Sequence, residues 1–110
     1  MERVISVLSD DKELVLYIQM IAKTLLKLNK KVIIENRLKE NADLIILDFD
    51  EKKYQKLLTE IRSSEVYSQK KVLGLYSNPD RKLKPLFKKG CDAIMKKDEF
   101  KASLNNLLMF

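Results

Sequence analysis

A chain of 110 residues with 45% hydrophobic content builds one core and has no room for a second. Its single cysteine excludes a disulfide scaffold and any multi-thiolate metal site. The absence of histidine removes Ser–His nucleophiles, imidazole bases, zinc hydrolases and phosphohistidine transfer. The 22 Lys+Arg against 16 Asp+Glu give a formal charge of +6, but eighteen of those cations are lysines, spread over nearly the whole chain. That is the pattern of a solvated basic face. Nucleic-acid surfaces cluster their cations and favour arginine, so nucleic acid ranks last among the partners. The densest basic stretch, Arg81 to Lys89, is interrupted by Leu83, Leu86 and Phe87, which point half of it at a core. No run of about 18 apolar residues offers a membrane span, and residues 1–10 do not form a signal peptide. The expectation is a cytoplasmic, soluble single domain over residues 1–110 whose chemistry rests on carboxylates, lysines, hydroxyls or a hard metal ion.

Val4-Ile5-Ser6-Val7-Leu8 is short, apolar and β-branched and stops at Ser9-Asp10-Asp11, as a buried strand does. From Lys12 to about Leu28, the positions Leu14, Tyr17, Ile18, Ile21, Ala22, Leu25 and Leu28 follow helical spacing. Asp10 or Asp11 is placed to cap that helix. Lys31–Glu35 predicts a second strand, and Asn36 to Asn41 has length for a turn or two of helix. Asp43-Leu44-Ile45-Ile46-Leu47-Asp48 places four consecutive apolar residues between carboxylates, the signature of a strand buried on both faces of a parallel sheet. Glu51 to about Ser63 carries Tyr54, Leu57, Leu58 and Ile61 on one helical stripe. A fourth strand spans Lys71–Tyr76. Ser77-Asn78-Pro79-Asp80 then turns into a helix that Pro85 is expected to disrupt and Gly90 to stop. Cys91–Met95 predicts a fifth strand, with Cys91 as a small core residue, and Asp98 an N-cap for a last helix to about Leu108.

Strand and helix therefore alternate five times, which implies right-handed crossovers and a parallel sheet covered on both faces. Ligands of such sheets sit beyond the carboxyl ends of the strands, where strand order reverses. Four segments occupy those ends: Ser9-Asp10-Asp11, Asp48-Phe49-Asp50, Tyr76-Ser77 and Lys96-Lys97.

These four strand ends, in this order, resemble the receiver domain of two-component response regulators (CheY-like). Ala42 to Asp48 is similar to the third strand of that family, which ends in the phospho-accepting aspartate, and Gly90 to Phe100 to its fifth-strand signature, with Lys97 in the place of the family's lysine. The resemblance covers nearly the whole chain. It implies a three-layer α/β/α, flavodoxin-like (βα)5 fold with a five-stranded parallel sheet in the order 2-1-3-4-5. It further implies Asp48 as phosphoacceptor and Mg²⁺ as cofactor. Asp10, Asp48 and the backbone carbonyl of Asp50 are then the metal ligands, with Asp11 a less favoured candidate. Ser9 and Asp10 occupy the family's acidic pair in the register that keeps Gln19 out of the helix core, so Ser9 replaces the first acid.

The chemistry accounts for the residue types. A carboxylate that attacks a phosphoryl group makes an acyl phosphate, and the incoming group is itself negative. Two carboxylates about 4 Å apart repel by roughly 4 kcal/mol at an effective dielectric of about 20. A hard divalent cation with oxygen ligands offsets that, and Lys97 acts as a point charge on a phosphoryl oxygen. The chain departs from the family pattern at several positions. The switch hydroxyl falls on Tyr76, with Ser77 one residue further. The aromatic switch position is Ile94, and the residue after the lysine is Asp98 rather than proline. The resemblance implies a signalling component rather than an enzyme, autocatalytic at most. Its partners would be a histidine kinase or phosphotransfer protein, and a downstream protein bound through the fourth helix, fifth strand and fifth helix. A homodimer is left open. The alternative is a pseudo-receiver that keeps the fold as an interaction module and is never phosphorylated.

Overall fold

A computed structural model describes residues 2–78 and 83–108. Five strands, β1 (Glu2–Leu8), β2 (Lys31–Glu35), β3 (Leu44–Asp48), β4 (Lys71–Tyr76) and β5 (Ala93–Lys96), form one sheet in the order β2-β1-β3-β4-β5. Every neighbouring pair is parallel. The chain leaves β1 for the edge, returns past it to β3, and so reverses its direction of travel between β1 and β3. Four helices are described: α1 (Lys12–Leu26), α2 (Lys52–Ser63), α3 (Lys84–Lys88) and α4 (Lys97–Leu108).

Alternation along the strands divides the core in two. Ile5, Val7, Ile46, Leu73 and Leu75 meet α1 and α4 through Leu14, Ile18, Leu25, Phe100 and Leu104. Leu8, Ile45, Leu47 and Val72 meet α2 and α3 through Leu58, Ile61 and Leu86 on the other face, with Phe49 and Cys91 in the same cluster. β3 is apolar on both faces because it lies mid-sheet. Among the described residues no helix is long and apolar enough to cross a membrane.

The turn or two of helix expected at Asn36–Asn41 is not formed: residues 36–43 run as turns. The connector must pass β1 in eight residues, and it binds β1 instead of itself. The Lys39 amide donates to Ser6 Oγ (3.1 Å), the Asp43 amide to the Val4 carbonyl (2.7 Å), and the Val4 amide to Asp43 Oδ2 (2.8 Å). Ser6, fully buried in the sheet, is thereby satisfied. Helix α1 ends at Leu26, two residues early, where Asn29 turns left-handed (φ 61°) and the Lys30 amide closes onto the Leu25 carbonyl.

Further along, β5 begins at Ala93, and α4 starts at Lys97 with Asp98 inside its first turn, not at its cap. Pro85 falls in the first turn of α3, where a missing N–H breaks no helical bond, so the short helix accommodates it. The turn at Pro79 and Asp80, residues Arg81 and Lys82, the side chain of Phe87 and the end at Met109–Phe110 lie outside the described residues.

Candidate functional site

The site stands at the carboxyl ends of β1, β3, β4 and β5, flanking the reversal of strand order. Asp48 is the last residue of β3 and only 2% exposed, because the pleat that buries Leu47 on one face turns Asp48 toward the other, under the loop after β1. Its Oδ1 accepts the Asp50 amide (3.0 Å). Its Oδ2 accepts the Ser9 hydroxyl (2.6 Å) and lies 3.0 Å from Lys97 Nζ. Lys97 enters from the junction of β5 and α4 and is 9% exposed. Its ammonium also contacts Asp11 Oδ2 (3.0 Å) and Asp50 Oδ2 (2.9 Å), so carboxylates from two loops and one strand end share a single cation.

Each of those carboxylates is fixed locally. Asp11 caps α1 by accepting the Leu14 amide (3.2 Å), while its own amide donates to Ser9 Oγ (3.0 Å). Asp50 accepts both the amide (3.0 Å) and the hydroxyl (2.6 Å) of Ser77. Phe49, between the two aspartates, anchors the turn: it is 2% exposed, its amide donates to the Leu75 carbonyl (2.7 Å), and Gln55 Nε2 donates to its carbonyl (2.6 Å). A Cβ on Gly74 would stand 2.0 Å from the Phe49 ring, so the ring needs a glycine beneath it.

The electrostatics follow from this wiring. Burial alone would lower the Lys97 pKa, but hydrogen bonds to Asp50, Asp48 and Asp11 outweigh it and hold it above the ordinary lysine value. Burial would likewise raise Asp11 and Asp50. Lys97 and the Leu14 amide bring the first below the usual carboxylate value, and Ser77 with Lys97 does so for the second. Cys91 is a core thiol, pushed up to about 11 by burial, with its Sγ 3.1 Å from the Ala93 carbonyl.

The sequence candidates separate into two sets. Ser9, Asp11, Asp48, Asp50, Ser77 and Lys97 come together. Asp10 faces α2 instead, where its carboxylate accepts the Tyr54 hydroxyl (3.0 Å) and pairs with Lys53 (2.6 Å), and these two hold its pKa down. Tyr76 packs against the α2-side core cluster. The sequence reading assigned Asp50 only a backbone carbonyl and Tyr54 only a packing role. The Asp-Phe-Asp spacing carried a signal for the first, since residues flanking a buried aromatic return to the same rim. Nothing in the sequence signalled the hydroxyl of Tyr54.

The donor set matches a divalent cation in charge and in donor type. Asp11, Asp48 and Asp50 share the one Lys97 ammonium, an excess of two negative charges over that contact, and all the donors are hard oxygens, which suits Mg²⁺. Among the described residues, no three acidic or thiol side chains form a ready-made metal cage.

No family model and no curated protein matches the chain. Solved structures do. The signal receiver domain of a DNA-binding response regulator from Colwellia psychrerythraea superposes with a TM-score of 0.73 at 15% identity, over 98% of this chain and 99% of that one. A response regulator from Hahella chejuensis gives 0.75 at 15% identity, over 97% and 92%. The Mn²⁺-bound form of response regulator Rcp1 gives 0.73 at 16% identity, over 98% and 93%. The fold is that of response-regulator receivers. Within that receiver fold, the expected strand order 2-1-3-4-5 is the observed one.

Proposed function

We propose that this chain is a receiver-type signalling domain that accepts a phosphoryl group on Asp48 and passes its state on by protein–protein contact. One observation carries the reading: a 2%-exposed aspartate at the central strand end, 3.0 Å from a lysine that enters after the last strand. In the reaction, an Asp48 oxygen forms a bond to phosphorus while the phosphorus–nitrogen bond of a phosphohistidine breaks. The departing imidazole nitrogen keeps the electron pair and later takes up a proton. A histidine kinase or phosphotransfer protein provides that histidine, which this chain lacks. Lys97 pairs with a phosphoryl oxygen and gives up part of its hold on the carboxylates. Asp10, Asp48 and the Asp50 carbonyl are the ligands we assign to Mg²⁺, with Asp11 as the alternative to Asp10. The exposed pair between Asp10 and Lys53 is a weak tie for Asp10 to leave. When bound, the ion supplies positive charge against the carboxylates and the incoming phosphoryl group. Output runs through α3, β5 and α4.

A second reading, the phosphorylation-independent interaction module, is favoured by three observations. Ser9 stands in place of an acid, Tyr76 is packed rather than presented, and both oxygens of Asp48 are already hydrogen-bonded. Incubation with Mg²⁺ and a small phosphodonor, followed by intact mass measurement, separates the two. Acceptance predicts a gain of one phosphoryl group that Asp48→Asn abolishes. No gain, under conditions that load an established receiver, leaves the module reading in its place.

A further inference from the structure

We infer that β2 is a self-complementary edge through which two copies of this chain pair antiparallel, joining their sheets across a two-fold axis. β2 is the terminal strand of the sheet and bonds only to β1 among the described residues, so its outer row of N–H and C=O groups is open. Edge strands left open in this way are templates for another strand unless something blunts them. The connector over residues 36–43 forms no helix and turns inward to bind β1 rather than back along β2.

The sequence of the strand selects the occupant. Lys31-Val32-Ile33-Ile34-Glu35 reads as its own complement when reversed. An antiparallel pair centred on Ile33 sets Lys31 opposite the second copy's Glu35, Val32 opposite its Ile34, and Ile33 against Ile33. Both Lys–Glu pairs then form at once, as an isologous two-fold contact requires. Val32 and Ile34 pack toward α1, so Lys31, Ile33 and Glu35 share the opposite face by alternation. Ile33 is half-buried and belongs to neither core cluster, which leaves it an apolar centre between two opposite charges. Lys31 already reaches Glu2 (3.5 Å), but both side chains are more than half exposed, and such a pair yields readily to a cross-strand one. On the α1 side, a groove of about 300 Å³ between α1 and β2 is rimmed by Leu26, itself 58% exposed, and a second copy would cover it. The contact is small, so the dimer is reversible and depends on concentration.

Sedimentation velocity over the micromolar range tests this directly. The wild-type chain should show a concentration-dependent doubling of its 12.9 kDa mass. Lys31→Glu and Glu35→Lys each turn two attractive cross-strand pairs into repulsive ones and should weaken self-association by about tenfold or more. The two variants mixed in equal amounts should recover it as a heterodimer, since every pair is then matched again. The double variant Lys31→Glu/Glu35→Lys should dimerise like wild type. Circular dichroism melts of each variant confirm that the fold is retained, because neither side chain is in the core. A wild-type chain that stays monomeric, single variants that associate as well as wild type, or a mixture that fails to recover would each overturn the proposal.

Discussion

At the scale of single residues, the site is a matter of charges sharing too few partners. Asp11 is held below its ordinary pKa by Lys97 and the Leu14 amide, Asp50 by Ser77 and Lys97, and Lys97 is held above its own by the carboxylates it binds. The signs fix the pH dependence. A lowered carboxylate stabilises the fold above its unfolded value of about 4, and that contribution fades as pH falls through the folded value. A raised lysine stabilises below its unfolded value of about 10.4, and that contribution is lost as pH climbs through the folded one. Urea titrations across pH should therefore give a plateau of stability from mildly acidic to mildly alkaline conditions. They should fall in strong acid, with a further loss in strong base. In a Lys97→Met variant the alkaline arm should flatten. Of these residues, Asp48 was legible from the apolar run it ends, and Lys97 only from its similarity to the lysine of the receiver family's fifth-strand signature. The sequence reading favoured Asp10 over Asp11 as the inward acid and the structure turns them the other way, because which of two adjacent carboxylates faces in is decided by α1: the helix takes Asp11 as its cap and leaves Asp10 to Lys53 and Tyr54.

At the scale of elements, the turn after β3 depends on β4 beneath it. Phe49 lies on Gly74, where a Cβ would stand 2.0 Å from a ring carbon. Gly74→Ala should displace the ring and cost about 1–3 kcal/mol in chemical denaturation. The same change should unsettle Asp48 and Asp50 on either side of the ring, so the amides of residues 48–50 should exchange faster with solvent. Insensitivity of both readouts would show that the ring does not position the turn. Arg62 plays the corresponding role at the opposite end of the strands, donating to the Gly90, Ser68 and Lys70 carbonyls and to Asp92 Oδ2 at 2.6–2.9 Å. Gly90, at φ +108°, is needed there both for its backbone and for the guanidinium beside it. The long periodic helices and the apolar third strand were readable from sequence because burial writes itself as a repeat. The connector at 36–43 was not, because its structure is set by bonds to Ser6 and Val4 of another strand.

At the scale of the whole molecule, the order β2-β1-β3-β4-β5 brings the ends of β1, β3, β4 and β5 to one rim, and Lys97 closes it from the far side of the sequence. Strand alternation in the sequence implied the parallel sheet, and similarity to known receivers implied the order of the strands. Neither revealed that the ammonium binds three carboxylates together, since that depends on side-chain reach across the ends of three strands. The central claim is that Asp48 and Lys97 form one buried, coupled unit. A double-mutant cycle of Asp48→Asn and Lys97→Met, measured by denaturant unfolding, tests it most directly. Lys97→Met alone leaves Asp48 buried without a counter-charge and should cost about 3–5 kcal/mol, and Asp48→Asn in that background should restore a large part of it. A coupling energy of about 1.5 kcal/mol or more between the two positions is the predicted result. Simple additivity of the two substitutions would contradict the account.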